Sequence, residues 1–369
     1  MGLIGCVCAA IAHPGTLTLL GPEVFVARPA LWLRALSRYG ATISVAPNFA
    51  YGLCTAKIRD AELEGVDLSR WRVALNGAEA VAPEVLRAFC ARFARWGFRP
   101  EALTPVYGLS EAALAVTFSD LEAPFQARRF ARGELAVGVA RQDAEGRELV
   151  SVGRPLPGFE VRIAGDDGHA LAEARIGRVL VQGPSLMDGY LGRPEATAAA
   201  LAGGWLDTGD LGFLVDGELY LTGRKKDILI LRGRNHAPEE VEHAVEGIAG
   251  LRAGCVVAVS HLPEGDAGER VLLFVERARD AAEEDASALA EACRRAVLAR
   301  ANLEVAEVLV LPPGTLPRTS SGKLRRGETL ARHLAGDLTP PVPLSPLRLA
   351  GALLRSRRAL RKLRRGALR

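Results

Sequence analysis

Two different patterns of hydrophobic and polar positions divide most of the chain. Between residues 22 and 120, short apolar runs such as 42–46 alternate with longer stretches of helical spacing. In one of these, over residues 81–96, Val85, Phe89 and Phe93 recur four positions apart, which predicts a helix with one buried face. The alternation of strands and helices predicts an α/β architecture for this region.

From residue 134 to 222 the pattern changes to short β-rich runs, at 160–163, 177–182 and 218–221, separated by Gly and Pro. This pattern predicts a small antiparallel β subdomain.

A third region starts at residue 224. Its predicted elements are strands at 227–231, 255–259, 270–276 and 307–311 and helices at 238–245 and around 283–300. Together they predict a compact α+β domain.

A proline cluster marks the end of that domain. Pro340, Pro341, Pro343 and Pro346 fall within seven residues and predict a stiff linker. The expected organisation is therefore an α/β and β region over 1–223, a small domain over 224–336, and a linker with a tail over 337–369.

The composition excludes several classes of protein. The chain has 369 residues, 49% of them hydrophobic and 24% charged, which is ordinary for a soluble globular protein. No run approaches the roughly 18 uncharged apolar residues of a membrane-spanning helix. The six cysteines include no C-x-x-C pair, so their spacing favours neither a zinc site nor a disulfide framework. We expect reduced thiols in a cytoplasmic protein.

The positive net charge belongs to the C-terminal tail. The whole chain carries +4, but residues 348–369 hold nine Lys and Arg and no acidic residue. The body is therefore net acidic, which argues against a nucleic-acid partner. Leucines of the tail cluster on a helical wheel, which is typical of a helix on an anionic membrane surface. A solvated basic extension remains the alternative, because Gly351 and Gly366 weaken helix formation.

The first of four islands of candidate chemistry is Tyr-Gly-Leu-Ser-Glu at 107–111, after a predicted strand that ends near Val106. Gly108 allows the backbone to approach a ligand, Tyr107 can stack on a flat ring, and Glu111 can hold a hard cation.

The second island is Trp-Leu-Asp-Thr-Gly-Asp-Leu at 205–211, where Asp210 follows a Gly in a predicted tight turn and could bind a ribose diol. Either one alone is typical of an ordinary turn.

The third island places cations beside a glycine, in Leu-Thr-Gly-Arg-Lys-Lys-Asp at 221–227, and continues into residues 232–240. Such cations could clamp phosphates or ribose, or they could form a solvated charged turn. The fourth is Leu-Pro-Arg-Thr-Ser-Ser-Gly-Lys-Leu at 316–324, a Ser/Gly loop with one lysine that suggests an anion site. It is not a Walker A loop, because Pro317 replaces the first Gly and Leu324 replaces the Ser or Thr that binds magnesium.

The order and spacing of the four islands resemble the adenylate-forming superfamily, which includes acyl-CoA synthetases and peptide-synthetase adenylation domains. Asn-Gly-Ala-Glu at 76–79 resembles its adenine-contacting segment and is a fifth match. The resemblance implies an α/β fold: residues 1–223 as part of the large AMP-binding domain, with a small β subdomain, then a small mobile α+β domain over 224–336.

Within the superfamily, the chain is most similar to long-chain fatty acyl-AMP ligases. The segments that carry this likeness are residues 1–5, 46–51 and 232–236. The 41 residues between Glu111 and Gly153 also resemble the insertion of these ligases, which is thought to oppose the use of CoA. A fatty acyl-CoA synthetase is the alternative enzyme.

The resemblance implies a role for each matching residue. Lys323 is the catalytic lysine that bridges the carboxylate and the α-phosphate, and Glu111 is a catalytic residue that binds Mg²⁺. Lys226 lies at the hinge between the domains. The nucleotide-binding residues are Asp210 and Arg224 for the ribose and Tyr107, Gly77 and Ala78 for the adenine, together with Gly108, where the backbone approaches the ligand.

The implied reaction uses ATP and Mg²⁺ to convert a fatty acid to acyl-AMP, followed by transfer to the phosphopantetheine thiol of an acyl carrier protein. The family's Thr/Ser/Gly-rich phosphate loop ending in Pro-Lys-Gly has no counterpart in these 369 residues. We therefore expect a truncated chain that is inactive alone. A non-catalytic nucleotide-binding or scaffold remnant is the alternative outside enzymes. Acyl chain length, acceptor and oligomeric state are not predicted by the sequence.

Overall fold

The computed structural model describes residues 1–231, 234–263, 269–279, 281, 285–319 and 322–340. The chain divides into two compact units. The first contains Met1–His243 and Val259–Val271, and the second contains Ala244–Ala258 and Leu272–Arg369. Residues 224–243, which the sequence assigns to the small domain, group with the first unit. The predicted domain boundaries remain predictions. The predicted tail helix lies outside the described residues.

The first unit combines helices with many short strands. Its helices are α1 (Ala9–Ala12), α2 (Pro22–Ala27), α3 (Ala30–Tyr39), α4 (Asn48–Lys57), α5 (Pro83–Phe93), α6 (Arg132–Leu135), α7 (Pro194–Ala200) and most of α8 (Pro238–Ala244). Its strands are β1 (Ile43–Ala46), β2 (Val73–Asn76), β3 (Leu103–Gly108), β4 (Ala115–Phe118), β5 (Ala127–Phe130), β6 (Arg147–Val150), β7 (Arg154–Pro155), β8 (Glu160–Ala164), β9 (Gly177–Gln182), β10 (Leu201–Ala202), β11 (Trp205–Val215), β12 (Glu218–Arg224), β13 (Leu229–Leu231) and β14 (Arg234–His236). Shorter helical segments are the π-helix Gly2–Cys8 and the 3-10 turns Asp60–Leu63, Ala94–Trp96, Pro100–Ala102, Ser110–Ala112 and Lys225–Asp227.

A five-stranded sheet in the order β1-β2-β3-β4-β7 carries the N-terminal part of this unit. Strand β2 pairs in parallel with β1 and with β3. Strand β4 pairs antiparallel with β3 and with β7. Parallel neighbours need crossover connections, and α4 and α5 lie between successive parallel strands along the chain. The predicted α/β architecture is confirmed.

Local sequence explains where two of these helices begin and end. Pro83 opens α5, because its fixed φ suits the first helical position, where the missing N–H would have no partner. Gly40 ends α3 with a φ of 56°, a left-handed conformation that glycine adopts without strain. In α5 the predicted apolar face is confirmed, since Phe89 and Phe93 are fully buried.

An aromatic cluster fills the core beside this sheet. It consists of Tyr51, Trp71, Phe89, Phe93 and Phe98, all of which are buried. The ring centroids of Tyr51 and Phe89 lie 5.0 Å apart, as do those of Trp71 and Phe98, in edge-to-face contacts. Such pairs add about 0.5–1.5 kcal/mol each to the gain from burial. The cluster therefore stabilises the sheet from which the candidate site projects.

The predicted antiparallel β subdomain is also confirmed. Strands β10, β11, β9 and β8 form a sheet in that order, and β12 pairs with β11. The β5–β6 pair packs its Phe130 near Phe213 and Tyr220, whose rings stack with centroids 5.3 Å apart. This core ties the segment between Glu111 and Gly153 to the β subdomain.

The second unit is a small α+β structure, as expected. It holds most of β15 (Leu251–His261) and β16 (Arg270–Arg277), together with β17 (Glu307–Leu311), α9 (Ala286–Ala301) and α10 (Arg326–Leu334). The sheet order is β15-β16-β17, and β16 pairs with β17 in parallel. The crossover between these two strands contains α9, which packs against β17. Glu276 on β16 is fully buried beside apolar neighbours.

The cysteines match the expectation of free thiols. All six are free, and Cys54, Cys90, Cys255 and Cys293 are buried. Burial raises the pKa of Cys54 to about 12, so this thiol stays protonated. In the part of the chain that the structure describes, no helix has the length and apolar character to cross a membrane.

The aromatic cluster gives a test of this packing. We expect Phe89→Ala to lower the free energy of unfolding of the first unit by about 3–5 kcal/mol, because a fully buried ring would be replaced by a cavity. All four tryptophans lie in the first unit, so tryptophan fluorescence during urea unfolding reports on it alone. Leu191→Ala is the control, because that side chain is fully exposed and its loss should cost less than about 0.5 kcal/mol. Equal losses in both variants would contradict the described core.

Candidate functional site

Asp210 lies in an irregular part of β11. The pairing of β11 with β9 shifts register between Asp207 and Leu211, and Gly209 there has a φ of 72°. The Asp207 carboxylate accepts a hydrogen bond from the Gly209 amide at 3.0 Å, and Thr208 Oγ1 accepts one from the Asp210 amide at 3.1 Å. The sequence predicted a tight turn here. The hydrogen bond from the Gly209 amide to Asp207 is that of an Asx turn, so the structure has this turn as a local irregularity within β11.

Two donors hold the Asp210 carboxylate. The Tyr107 hydroxyl donates to Oδ2 at 2.7 Å, and Arg224 Nε lies 3.1 Å from Oδ1. The register of β11 and β12 places Arg224 opposite Asp210. Asp210 is 8% exposed, and burial raises its pKa above the ordinary value, while the Tyr107 hydroxyl and Arg224 act in the opposite direction. The structure thus joins three of the predicted nucleotide-binding residues in one hydrogen-bonded group, named here the Tyr107–Asp210–Arg224 group.

Glu111 lies in the 3-10 turn Ser110–Ala112, just after β3. Its Oε1 accepts a hydrogen bond from the Tyr190 hydroxyl at 2.8 Å, and this bond raises the pKa of Tyr190. Burial is the main cause that raises the pKa of Asp210, and the Glu111 charge acts in the same direction. Sequence reasoning missed Tyr190. The available signal was an aromatic residue in a loop between Gly189 and Gly192, both of which have positive φ.

Gly77 and Gly108 have clear steric reasons to be glycine. A Cβ at Gly77 would lie 2.8 Å from the Val106 carbonyl oxygen, and one at Gly108 would lie 1.8 Å from the Leu114 carbonyl oxygen. At Gly108 the close neighbour is therefore the protein's own backbone, and a role toward a ligand stays a prediction. Ala78 has a φ of 74°, a strained conformation for a residue with a side chain. Strain of this kind clusters at functional sites.

Lys323 belongs to the second unit, where its side chain is exposed. Its backbone amide donates to Thr319 Oγ1 at 3.0 Å, and its carbonyl oxygen accepts from the Thr319 amide at 2.8 Å. The guanidinium of Arg318 donates to the Gly322 carbonyl at 2.7 Å. The loop around the lysine is thus held by its own hydrogen bonds.

The predicted hinge residue, Lys226, lies exposed in the 3-10 turn Lys225–Asp227 that follows β12. Its neighbour Lys225 forms an exposed ion pair with Asp166, with 2.7 Å between Nζ and Oδ1. Of the segment 232–236 that resembles acyl-AMP ligases, residues 232 and 233 lie outside the described part, and the rest forms β14. The hinge role stays a prediction.

The first unit therefore gathers most of the predicted site. The Tyr107–Asp210–Arg224 group is directly bonded, Glu111 lies near it, and Gly77 packs against the residue before Tyr107. Within the described ranges, no group of three or more His, Cys, Asp or Glu side chains could hold a metal ion by itself. A cation bound by one carboxylate together with ligand oxygens needs no such group.

Residues 1–191 match the family of AMP-binding enzymes. The match spans more than half of the chain and includes the predicted site residues of β3 and of the loop after β2. The chain belongs to this family. This family assignment agrees with the resemblance of the four islands to adenylate-forming enzymes.

Curated relatives and solved structures extend the comparison of this AMP-binding enzyme. A putative acyl-CoA synthetase of Caulobacter vibrioides (strain NA1000 / CB15N) is 38% identical over 343 residues, which are 91% of this chain and 59% of that protein. The long-chain-fatty-acid–AMP ligase FadD23 of Mycobacterium tuberculosis (strain CDC 1551 / Oshkosh) is 33% identical over 356 residues, or 92% of this chain and 60% of the relative.

A structure from studies of fatty acyl-adenylate ligases from E. coli and L. pneumophila matches with a TM-score of 0.84 and 37% identity, over 91% of this chain and 61% of that one. This likeness confirms the predicted fold class. The chain spans about 60% of the length of these relatives.

The raised pKa of Asp210 in this AMP-binding enzyme generates a prediction for stability. Because burial raises the folded-state pKa above the ordinary 3.8, the folded chain keeps this proton to a higher pH than the unfolded chain. The contribution of Asp210 to the free energy of unfolding therefore falls as the pH rises through this range. We expect the free energy of unfolding of the wild type minus that of Asp210→Asn to be smaller at pH 7 than at pH 3.

Asp166→Asn is the matched control for this urea-unfolding experiment. The hydrogen bond from Lys225 lowers the pKa of Asp166, so its contribution is present above 3.8 and is lost as the pH falls. The free energy of unfolding of the wild type minus that of Asp166→Asn should therefore be larger at pH 7 than at pH 3. The difference should be small, because the pair is exposed. A difference of the same sign for both aspartates would contradict the assignment.

Proposed function

We propose that this chain takes part in the ATP-dependent activation of a fatty acid as acyl-AMP. The observation that carries the proposal is the Tyr107–Asp210–Arg224 group, a buried carboxylate held by two donors. Membership of the AMP-binding family and the likeness to fatty acyl-AMP ligases support it. Since the chain spans about 60% of those relatives, the activity of the whole protein belongs to the proposal.

The residues of the first unit fit a nucleoside. A carboxylate offers about four lone-pair sites, and the two donors on Asp210 leave acceptor capacity for the hydroxyls of a ribose. Arg224 is 57% exposed, so its guanidinium can contact the ribose as well as Asp210. Gly77, Ala78, Tyr107 and Gly108 would contact the adenine side. ATP would supply the AMP that joins the fatty carboxylate, with pyrophosphate as the leaving group.

Glu111 fits a Mg²⁺ ligand. Mg²⁺ in phosphate sites is held by one or two carboxylates together with substrate phosphates and water. The Tyr190 hydroxyl occupies one side of Oε1 at 2.8 Å and orients the carboxylate, while Oε2 remains for a cation. In this proposal Tyr190 is a positioning residue for the magnesium ligand.

Lys323 would stabilise the charge that develops when the fatty carboxylate attacks the α-phosphate. Its ammonium group is exposed on a loop that is internally hydrogen-bonded, which fits a preorganised cation. Lys226 would act at the hinge that lets the lysine-bearing domain move between the two half-reactions. Both roles follow from the resemblance and from these positions.

For the second half-reaction we propose transfer of the acyl group to the phosphopantetheine thiol of an acyl carrier protein. The relatives named as fatty-acid–AMP ligases support this choice. The relative named as a putative acyl-CoA synthetase supports CoA as the alternative acceptor. Cytoplasmic location and membrane-surface binding through the tail remain predictions, because residues 341–369 lie outside the described part.

The adenylation proposal is tested by pyrophosphate release and by mass spectrometry of acyl-AMP, with ATP, Mg²⁺ and fatty acids of several lengths. We expect no product from the 369 residues alone, which lack the phosphate-loop motif. We expect product from an extended chain, preceded by the part of the Caulobacter relative upstream of the match. Lys323→Ala in the extended chain should lower the rate by a factor of hundreds, since losing one preorganised donor costs about 3–4 kcal/mol.

Lys57→Ala is the control, because Lys57 is an exposed lysine at the end of α4. Equal rates for the two lysine variants would contradict the role of Lys323. Acyl-AMP from the 369 residues alone would overturn the expected inactivity. If the extended chain forms no acyl-AMP, a non-catalytic nucleotide-binding remnant is favoured.

The acceptor is tested by adding holo acyl carrier protein or CoA to preformed acyl-AMP and measuring thioester. We expect faster thioester formation with the carrier protein, because the segment between Glu111 and Gly153 resembles the insertion that opposes the use of CoA. Preferential formation of acyl-CoA would replace the acyl-AMP ligase hypothesis with the acyl-CoA synthetase one. A carrier protein whose phosphopantetheine serine is changed to alanine controls for nonspecific aminolysis.

A further inference from the structure

A carboxylate lies in the core of the second unit. Strand β16 reads Val-Leu-Leu-Phe-Val-Glu-Arg over 271–277, and its residues from Val271 to Glu276 are all buried. Glu276 itself has 0% of its surface exposed. Burying an ionised carboxylate costs several kcal/mol unless it is paired and hydrogen-bonded. The partners of Glu276 must therefore offset this cost.

Both oxygens of Glu276 have partners, and burial together with the nearby Glu276 carboxylate raises the pKa of the Cys255 thiol. Oε2 lies 2.6 Å from Nη1 of Arg252 on the adjacent strand β15. Oε1 accepts a hydrogen bond from the Leu316 backbone amide at 2.9 Å, across 40 positions of sequence. Leu316 is buried and is the first residue of the loop 316–324, which carries Lys323. Glu276 thus ties the start of the lysine loop to the sheet.

The rest of the loop transmits this anchorage. Arg318 donates from Nη1 to the Gly322 carbonyl at 2.7 Å and from Nη2 to the Gly254 carbonyl at 3.0 Å. Thr319 and Lys323 exchange backbone and hydroxyl hydrogen bonds, as described above. Since Arg318 and Thr319 follow Leu316 closely and bond to Gly322 and Lys323, we expect a displacement at Leu316 to reach the backbone of Lys323.

We propose that Glu276 is a positioning residue that fixes the loop of Lys323 through the Leu316 amide. The proposal rests on the function proposed above for Lys323. It does not make Glu276 a catalytic residue, because the carboxylate is fully buried. A misplacement of about 1 Å in a reacting group can cost about a hundredfold in rate, so holding this loop directly affects the reaction.

A structural role and a positioning role can be separated. Replacing a buried ion pair by apolar residues of similar volume is often neutral for stability. The double variant Arg252→Met with Glu276→Leu should therefore keep the fold, while it removes the Arg252–Glu276 ion pair and the acceptor of the Leu316 amide. Glu276→Gln keeps an oxygen that can accept this hydrogen bond. Arg300→Ala removes hydrogen bonds to the carbonyl oxygens of Ala244 and Glu246 and serves as a control in the same unit.

The first measurement is amide hydrogen exchange of the 369-residue chain. We expect the Leu316 amide to exchange at least about tenfold faster in the double variant, with the second unit still unfolding cooperatively. Glu276→Gln should keep most of the protection, and Arg300→Ala should leave the loop unaffected. Wild-type exchange at Leu316 in the double variant would overturn the proposal, as would a uniform increase across the whole second unit.

The second measurement is acyl-AMP formation in the protein form in which the wild type is active. We expect the double variant to lose ten- to a hundredfold in kcat, with KM for ATP changed less than threefold and with Glu276→Gln near wild type. A loosened loop with unchanged kcat would overturn the positioning role. If the wild type forms no acyl-AMP in any form, the proposed function fails, and the exchange result alone decides whether Glu276 anchors the loop.

Discussion

The structure of the first unit depends on the buried carboxylate of Asp210. Burial of this group is unfavourable, and the Tyr107 hydroxyl and Arg224 offset part of the cost. Tyr107 comes from β3 of the α/β sheet, whereas Asp210 and Arg224 come from paired strands of the β subdomain. One ionic hydrogen-bonded group therefore joins the two sheets. Because each sheet is rigid, the carboxylate keeps a fixed position, as a group that binds a ribose would require.

Much of the fold could be predicted from the sequence where local pattern decides it. The strands predicted at 177–182 and 307–311 coincide with β9 and β17, and the helix predicted at 81–96 contains α5. At residues 205–211 the predicted turn is present, because the Asp207 carboxylate accepts from the Gly209 amide, but it lies inside β11. Strand β11 pairs with β9 before and after this turn and with β12 from Asp210 onward. Pairing with distant strands is invisible to a local pattern.

The residues of the candidate site could likewise be predicted from the sequence only in part. Tyr107, Asp210 and Arg224 could be proposed because they stand in islands whose order resembles a known family, and the structure brings them into contact. Tyr190 was missed, because its place between Gly189 and Gly192 marks only a loop and its partner Glu111 lies 79 positions away. The expected ligand approach at Gly108 was a local argument, and the structure gives this glycine a neighbour within the protein. Sequence thus indicates candidate residues more readily than it indicates their partners.

Glu276 was missed for a related reason, and its presence needs a physical explanation. In a run of buried apolar residues, another apolar side chain would fill the position without the cost of burying a charge. Such a side chain would leave the Leu316 amide buried without an acceptor, at a cost of about 1–3 kcal/mol. It would also release the start of the lysine loop. The carboxylate therefore contributes what an apolar residue cannot, which is a directional contact between the sheet and the loop. Its burial exceeds what stability alone requires, and this is why we assign it to positioning.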